Sequence, residues 1–184
     1  MGAALKYLSL LCLLAVLAPV SVARTVQDKP QTGAFNPLEV LEIMERTSEG
    51  GDLREFRKVL ADSFRFTPDL ATVSAHPQVP WKKWDIGLEM NFLERLLSPA
   101  RDAELVLSRG VRQRTTENRN RADYEIRYEI HFDGTTYSGE ATFRFVETDS
   151  RWYLWQWLES VPVTTRESGS PLNTSGELRA LLSR

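Results

Sequence analysis

The chain is poor in the residues that covalent and metal chemistry need. Its 184 residues include one cysteine and two histidines. Cys12 lies in an apolar N-terminal run, so the chain beyond it has no disulfide and must be held together by packing alone. His76 and His131 are separated from each other and from any cysteine, which does not match the ligand spacing of a zinc site. We therefore expect neither a metal nor a cofactor.

An excess of charge of one sign is also missing. The formal net charge is −2 at pH 7, so no strongly basic field is present to attract nucleic acid or anionic lipid. A glycine-rich phosphate loop and a nucleophile elbow are absent as well. The sequence therefore gives no support to nucleic-acid binding, nucleotide binding or serine-dependent hydrolysis.

The N-terminus has the pattern of an export signal. Met1–Lys6 is short and weakly positive, Tyr7–Ala18 is almost entirely apolar, and small residues at Ser21–Ala23 resemble a cleavage site. An uncleaved membrane anchor is the alternative, but the apolar run is shorter than the roughly 20 residues of a membrane span. We expect a signal peptide over residues 1–23, no stable span after its cleavage, and a secreted or periplasmic protein.

Helical signals dominate the first half of the remaining chain. A flexible lead-in over residues 24–35 precedes Asn36, which can cap a helix that begins with Pro37. Asp52 can cap a second helix in the same way. The predicted elements are a helix from residue 37 to the Gly50-Gly51 pair, a second helix from Asp52, a strand over 63–67, an irregular segment over 68–80 and a helix over 81–97.

After Pro99 the spacing of apolar residues changes from a helical period to alternation. The predicted strands are 103–113, 122–132, 137–145 and 152–158, with a tight turn at Asp133-Gly134. Helices followed by an antiparallel meander indicate an α+β domain with helices on one face of the sheet. A C-terminal tail over residues 162–184 follows, in which residues 176–182 have the pattern of one or two helical turns.

Several of these segments resemble NTF2-like domains, especially the SnoaL-like branch. Two short helices joined at Gly51-Asp52, followed by Leu60–Phe66, resemble the N-terminal part of these domains. Tyr137–Phe145 and Trp152–Glu159 resemble their C-terminal hairpin. The resemblance spans residues 36–161. It implies a cone in which a curved antiparallel sheet packs on N-terminal helices around a cavity. Such domains include isomerases, cyclases, dehydratases and many binding or assembly domains, so the fold does not give the function.

Few polar side chains are predicted to face that cavity. They are Tyr124, Tyr128, Tyr137 and Gln156. An acid–base enzyme needs an inward carboxylate or histidine beside such a tyrosine, and the alternation supplies none. Ala141 stands near the position where SnoaL-like enzymes carry an aspartate, and Glu140 has the outward parity. We therefore expect no catalytic residue. A cavity enzyme of the isomerase or dehydratase kind, using Tyr124 or Tyr128, is the alternative.

The last predicted strand is apolar on both faces. Tyr153, Trp155 and Trp157 alternate with an inward set of Trp152, Leu154, Gln156 and Leu158. An exposed row of three aromatic rings usually marks an interface. A second copy of the chain, the C-terminal tail and another protein are the three candidate covers. In a fourth arrangement, arginine stems such as those of Arg127 and Arg144 lie over the rings.

Taken together, these patterns favour an exported, non-enzymatic NTF2-like domain that binds a small apolar ligand or a partner protein. A cavity enzyme and a structural, homodimeric envelope component are the alternatives. An inward carboxylate or histidine within hydrogen-bond reach of a tyrosine would favour the enzyme.

Overall fold

The computed structural model of the chain describes residues 33–115, 120–160 and 173–183, with the stretch 109–115 described by its backbone alone. The predicted signal peptide over residues 1–23 lies outside these ranges, as do most of the lead-in and residues 162–172 of the tail. Within the described ranges, no helix is long and apolar enough to cross a membrane.

Aspartate and asparagine caps set the helix boundaries. The helices are α1 (Pro37–Gly50), α2 (Leu53–Lys58), α3 (Leu70–Ala75), α4 (Ile86–Leu96) and α5 (Ser175–Leu182), with a 3₁₀ turn at Trp81–Lys83. The Asn36 side chain accepts a hydrogen bond from the Glu39 amide at 3.0 Å, as predicted. Asp52, Asp69 and Asp85 cap α2, α3 and α4. The caps at Asp69 and Asp85 make two predictions wrong, because they place a helix in the irregular segment and divide the long third helix.

One five-stranded sheet forms the other layer. Its strands are β1 (Leu60–Thr67), β2 (Ala103–Thr115), β3 (Arg121–Phe132), β4 (Thr135–Thr148) and β5 (Arg151–Ser160), in the order β1-β5-β4-β3-β2. β2 to β5 form an antiparallel meander, and β1 pairs in parallel with β5. Asp133 and Gly134 have positive φ angles of 48° and 78° in the predicted turn. The predicted α+β architecture with a curved sheet is confirmed.

The core lies between the sheet and the helices. Among its most deeply buried side chains are Met44, Phe64, Phe66, Tyr128, Phe143 and Phe145. Tyr128 of β3 faces the core, as predicted, and the alternate residues Ala141, Phe143 and Phe145 of β4 are buried beside it. Trp157 packs against Phe66, Tyr128 and Phe143, with ring centroids 6.1, 5.3 and 4.5 Å away.

A bulge in β5 changes which of its residues face the core. Phe145 is opposite Leu154, whereas Arg144 is opposite Gln156, so Trp155 is the additional residue in β5. Side chains alternate along a strand, so one extra residue exchanges the two faces beyond it.

Beyond the bulge, the predicted alternation of β5 is therefore wrong. Trp157 is only 3% exposed and Glu159 only 5% exposed, so both face the core. Gln156 falls on the outer face, where its Oε1 accepts a hydrogen bond from Arg144 at 3.0 Å. Trp157 is thus a core residue rather than part of an interface, and Gln156 is not a cavity residue.

The remaining aromatic residues of the outer face are partly covered from within the chain. The Tyr153 ring lies so close to Gly33 that a Cβ there would be 2.6 Å from Tyr153 Cζ. The Arg121 guanidinium lies 5.4 Å from the centroid of the Trp155 ring. α5 packs against α4 and the inner side of β4, so the prediction that the tail covers the outer face is wrong for the described tail. A homodimer through the last strands stays a prediction.

Candidate functional site

Helix α5 occupies the concave side of the sheet, where the predicted cavity would lie. Its segment begins with a main-chain hydrogen bond from the Ser138 amide of β4 to Asn173 O, at 2.7 Å. Thr174 then caps the helix by accepting from the Glu177 amide at 3.3 Å. Ser175 and Arg179 are fully buried. The chain therefore fills its own cone with its C-terminal segment.

The first turn of α5 is bound by one buried carboxylate. Glu159 Oε1 accepts hydrogen bonds from the Tyr128 hydroxyl, from Ser175 Oγ at 2.7 Å and from the Gly176 amide at 3.1 Å. The Ser175 amide donates to the Tyr128 oxygen at 3.0 Å. A carboxylate at the N-terminal end of a helix also interacts favourably with the helix dipole. Strands β3 and β5 thus hold α5 through Tyr128 and Glu159.

Burial shifts the pKa values of this pair. It raises the pKa of Glu159 above its usual 4.5, although the hydrogen bonds from Tyr128 and Ser175 and the charge of Arg179 act in the opposite direction. Burial also raises the pKa of Tyr128 well above 10.0, and the neighbouring Glu159 charge adds to that increase. Tyr128 is therefore a neutral phenol, able to donate, throughout the neutral pH range.

Gly176 allows the helix to approach this carboxylate. A Cβ at residue 176 would lie 2.8 Å from Glu159 Oε2 and 2.8 Å from the Thr72 methyl group. Real Cβ atoms do not approach neighbours so closely, so any side chain here must displace α5 or its surroundings. Among the described residues, Glu159 Oε2 has no hydrogen-bond partner.

A second buried cluster surrounds Arg179. Its Nε donates to Glu89 Oε2 at 3.0 Å and its Nη2 to Glu89 Oε1 at 2.6 Å, so the guanidinium and the carboxylate meet edge to edge. Arg179 Nη1 donates to Ser175 Oγ at 2.9 Å. Trp84 Nε1 donates to Glu89 Oε2 at 2.7 Å. Each nitrogen of the fully buried guanidinium thus has a partner in α4 or α5, and Trp84 holds the carboxylate of Glu89 from the segment before α4.

Three aromatic rings enclose the same guanidinium. Arg179 Cζ lies 3.9 Å from the ring centroid of Phe66, 4.5 Å from that of Phe92 and 4.6 Å from that of Trp157. Each distance is within the range of a cation–π interaction, which is strongest where water is excluded. The rings come from β1, α4 and β5, so the cluster joins both layers of the fold to α5.

A rim of polar contacts joins the start of α5 to α3 and to His76, which follows α3. His76 Nε2 and Glu177 Oε2 are 2.5 Å apart, and the Thr72 and Thr174 hydroxyl oxygens are 3.3 Å apart. Tyr137 lies near this rim, and its pKa is raised by burial and then by the charge of Glu177. α5 is thus held at its N-terminus, along its buried face and at its rim.

Little empty space remains inside the cone. A residual cavity of about 10 Å³ lies between Glu89, Phe92, Trp157 and Arg179. That volume is about what a single water molecule needs. A depression of about 260 Å³ near the end of α1 is lined by polar and apolar groups of the surface, including Arg101 and Leu97. With α5 in place, the cavity that these described residues line beside Arg179 has no room for a small apolar ligand.

The structure brings together only part of the predicted site. Tyr128 lies at its centre and Tyr137 near its rim. Tyr124 is away from α5 and packs edge-to-face on Phe145, with ring centroids 5.4 Å apart. Gln156 is on the outer face because of the bulge. No group of three His, Cys, Asp or Glu side chains in the described ranges is arranged to hold a metal.

Sequence reasoning missed the three charged residues that define the site. Glu159 was hidden by the bulge, which reverses its parity. Glu89 and Arg179 were not singled out, although a signal was present. Glu89 precedes Phe92 and Leu93 by three and four residues and so shares their buried face, and Arg179 precedes Leu182 by three. One charge of each sign on the apolar faces of two helices was the available evidence for a buried ion pair.

Comparison with known proteins supports the fold and nothing finer. No protein-family model and no curated protein matches the sequence. A putative calcium/calmodulin-dependent protein kinase type II association domain from Thiobacillus denitrificans is 14% identical, with a TM-score of 0.52 over 73% of this chain and 99% of that one. A Δ5-3-ketosteroid isomerase from Mycobacterium sp. is 12% identical, with a TM-score of 0.50 over 69% and 93%.

A third similar structure is a Mycobacterium tuberculosis protein, 11% identical, with a TM-score of 0.50 over 73% of this chain and 96% of that one. The chain therefore has the NTF2-like fold that the sequence predicts. At these identities the likeness extends to the fold alone, and the function must be argued from the site.

Proposed function

We propose that this chain is a non-enzymatic binding domain whose cone accepts a helical segment of a protein. The observation that supports this proposal is the way α5 is bound. The Glu159 carboxylate binds the first turn of α5. The Glu89 carboxylate and three aromatic rings bind Arg179, and His76 contacts Glu177. A helical segment of another protein would be held by contacts of the same kind, which is what supports the proposal.

The partner-protein alternative is preferred to a small apolar ligand for two reasons. Among the described residues, the cavity beside Arg179 has about 10 Å³ of free volume while α5 is bound, which is too little for such a ligand. If α5 left, the exposed site would present the carboxylates of Glu89 and Glu159, which an apolar ligand could not satisfy. A protein helix that offers an amide terminus and a cation satisfies both. Secretion or export to the periplasm is part of the same proposal and rests on the N-terminal pattern alone.

A cavity enzyme is the second candidate, and one specific contact favours it. The Tyr128 hydroxyl donates to the Glu159 carboxylate, which is the pairing of a tyrosine with an inward carboxylate that the sequence did not reveal. With α5 withdrawn, Glu159 would be a general base and Tyr128 a donor to a developing oxyanion. We rank this second because α5 supplies two of the three hydrogen bonds that Glu159 Oε1 accepts, and the third comes from Tyr128 itself.

A binding experiment on the full chain separates the two functions. The Arg179→Ala substitution weakens the packing of the chain's own α5. A labelled peptide of residues 173–183 is then titrated against this variant chain. We expect saturable binding to this variant, followed by fluorescence anisotropy, and much weaker binding to the wild-type chain, whose own α5 competes at high effective concentration.

The same variant tests the enzyme. The Arg179→Ala chain is assayed for isomerisation of steroid- or polyketide-like unsaturated ketones. A measurable rate that falls by about 10²-fold or more when Tyr128→Phe is added would favour the cavity enzyme. Absence of saturable peptide binding to a folded Arg179→Ala chain would contradict the binding proposal.

A further inference from the structure

The guanidinium of Arg179 lies in a site that fits its shape as well as its charge. Two of its nitrogens donate to the two oxygens of Glu89, at 3.0 and 2.6 Å. Trp84 Nε1 donates to the same carboxylate at 2.7 Å and so fixes its orientation. A planar fork meeting a planar carboxylate is specific for arginine, because an ammonium group cannot make both bonds in one plane.

The rings of Phe66, Phe92 and Trp157 add a second element of selectivity. Their centroids are within 4.6 Å of the guanidinium carbon. A guanidinium is weakly hydrated and packs on aromatic faces, whereas the ammonium of lysine is strongly hydrated and loses more on entering such a site. We call the set of Glu89, Trp84, Phe66, Phe92 and Trp157 the guanidinium site.

A third element is the spacing along the helix. Arg179 Nη1 donates to Ser175 Oγ at 2.9 Å and to Ser175 O at 3.3 Å, one helical turn earlier. Ser175 Oγ in turn donates to Glu159. Gly176, next in sequence, passes so close to Glu159 that no Cβ fits. The two buried carboxylates therefore require a helix that begins with serine and glycine and has an arginine four residues after the serine.

We propose that the cone recognises its protein partner through the guanidinium site, and that the partner is a helix with a serine-glycine start and an arginine one turn later. This inference rests on the proposed function and names the chemistry of the partner. In the present structure the chain's own α5 meets these requirements and occupies the site. A partner segment of the same chemistry binds by replacing α5.

The first test isolates the guanidinium site. In the full-length Arg179→Ala chain, methylguanidinium at millimolar concentration is expected to raise the melting temperature saturably, whereas methylammonium at equal ionic strength is not. Adding Glu89→Gln is expected to abolish the effect. An equal response to the two cations, or a response that survives Glu89→Gln, would overturn the proposal.

The second test concerns the partner. Peptides of residues 173–183 with arginine or lysine at position 179 are titrated against the Arg179→Ala chain, and we expect the lysine peptide to bind about tenfold more weakly or worse. Equal binding contradicts the guanidinium site but leaves the helix-binding function intact. Loss of all peptide binding with retained methylguanidinium binding contradicts the helix-binding function instead. Should Arg179→Ala not fold, Arg179→Lys serves as the host for the peptide comparison.

Discussion

Two arginine–glutamate pairs lie on opposite sides of the same sheet and differ in almost everything except their chemistry. On the concave side, the side chains of Arg179 and Glu89 are 1% and 3% exposed, and their closest atoms are 2.6 Å apart. On the outer face, those of Arg127 and Glu140 are 75% and 43% exposed, at 3.0 Å. Water and salt screen the outer pair. In the inner pair, each charge has lost its water and contacts its partner instead, together with a tryptophan N–H and three aromatic rings.

The comparison shows that the two pairs have different tasks. An exposed pair adds little stability and can be lost without consequence. A buried pair is of little value compared with well-packed apolar side chains, but each partner strongly requires the other once buried. The inner pair therefore ties α5 to α4 strongly, because undocking of α5 would leave Glu89 without its counter-ion.

The largest effect should come from removing one charge of each pair. Glu89→Gln leaves Arg179 buried without a counter-ion, so we expect a loss of about 3–5 kcal/mol in the free energy of unfolding. Glu140→Gln is the matched control and should cost less than about 1 kcal/mol. Urea denaturation measures both. Equal losses would show that burial does not distinguish the two pairs.

A pair of glycines provides a smaller test of α5 docking. Gly176→Ala puts a Cβ 2.8 Å from Glu159 Oε2, and we expect a loss of about 1–3 kcal/mol despite the better helix propensity of alanine. At Gly50, near the end of α1, a Cβ meets nothing within 4 Å, so Gly50→Ala should be neutral or slightly stabilising. If thermal unfolding showed the two variants to be alike, α5 would not be packed against Glu159 as described.

The smallest expected effect is a dependence of stability on pH. Because burial raises the folded pKa of Glu159 above its usual 4.5, its contribution to stability is complete below about pH 4.5 and is lost as the pH rises through the folded pKa. Glu159→Gln should remove this decline, with a slope of at most about 1.4 kcal/mol per pH unit. Urea midpoints measured between mildly acidic and neutral pH test it. The exposed control Glu140→Gln should retain the decline, and a wild-type decline unchanged in Glu159→Gln would assign it to another group.

Local signals predicted much of the fold. Asn36 and Asp52 cap helices where the sequence places caps, and the alternation of β3 assigns Tyr128 to the core correctly. These features depend on neighbours within a few residues. The extra residue at Trp155 depends on pairing with β4, and the position of Arg179 depends on Glu89, which is 90 residues away in sequence. The bulge leaves no periodic trace in the local sequence, and so Glu159 was assigned to the wrong face. Glu89 and Arg179 each stand on an apolar helix face, but the local pattern does not indicate that they meet, so the docking of α5 inside the cone was not predicted.

The distance in sequence between Glu89 and Arg179 also governs the order of events during synthesis. The ribosome synthesises β1, α4 and then β2 to β5 before residues 175–179, so Glu89 and Glu159 lack their α5 partners until the end of synthesis. Contacts between such distant residues are slow to close, and unfinished chains expose surfaces that other proteins recognise. On the proposed function, a competing helix therefore has its best access to the cone in the newborn chain, before α5 has docked.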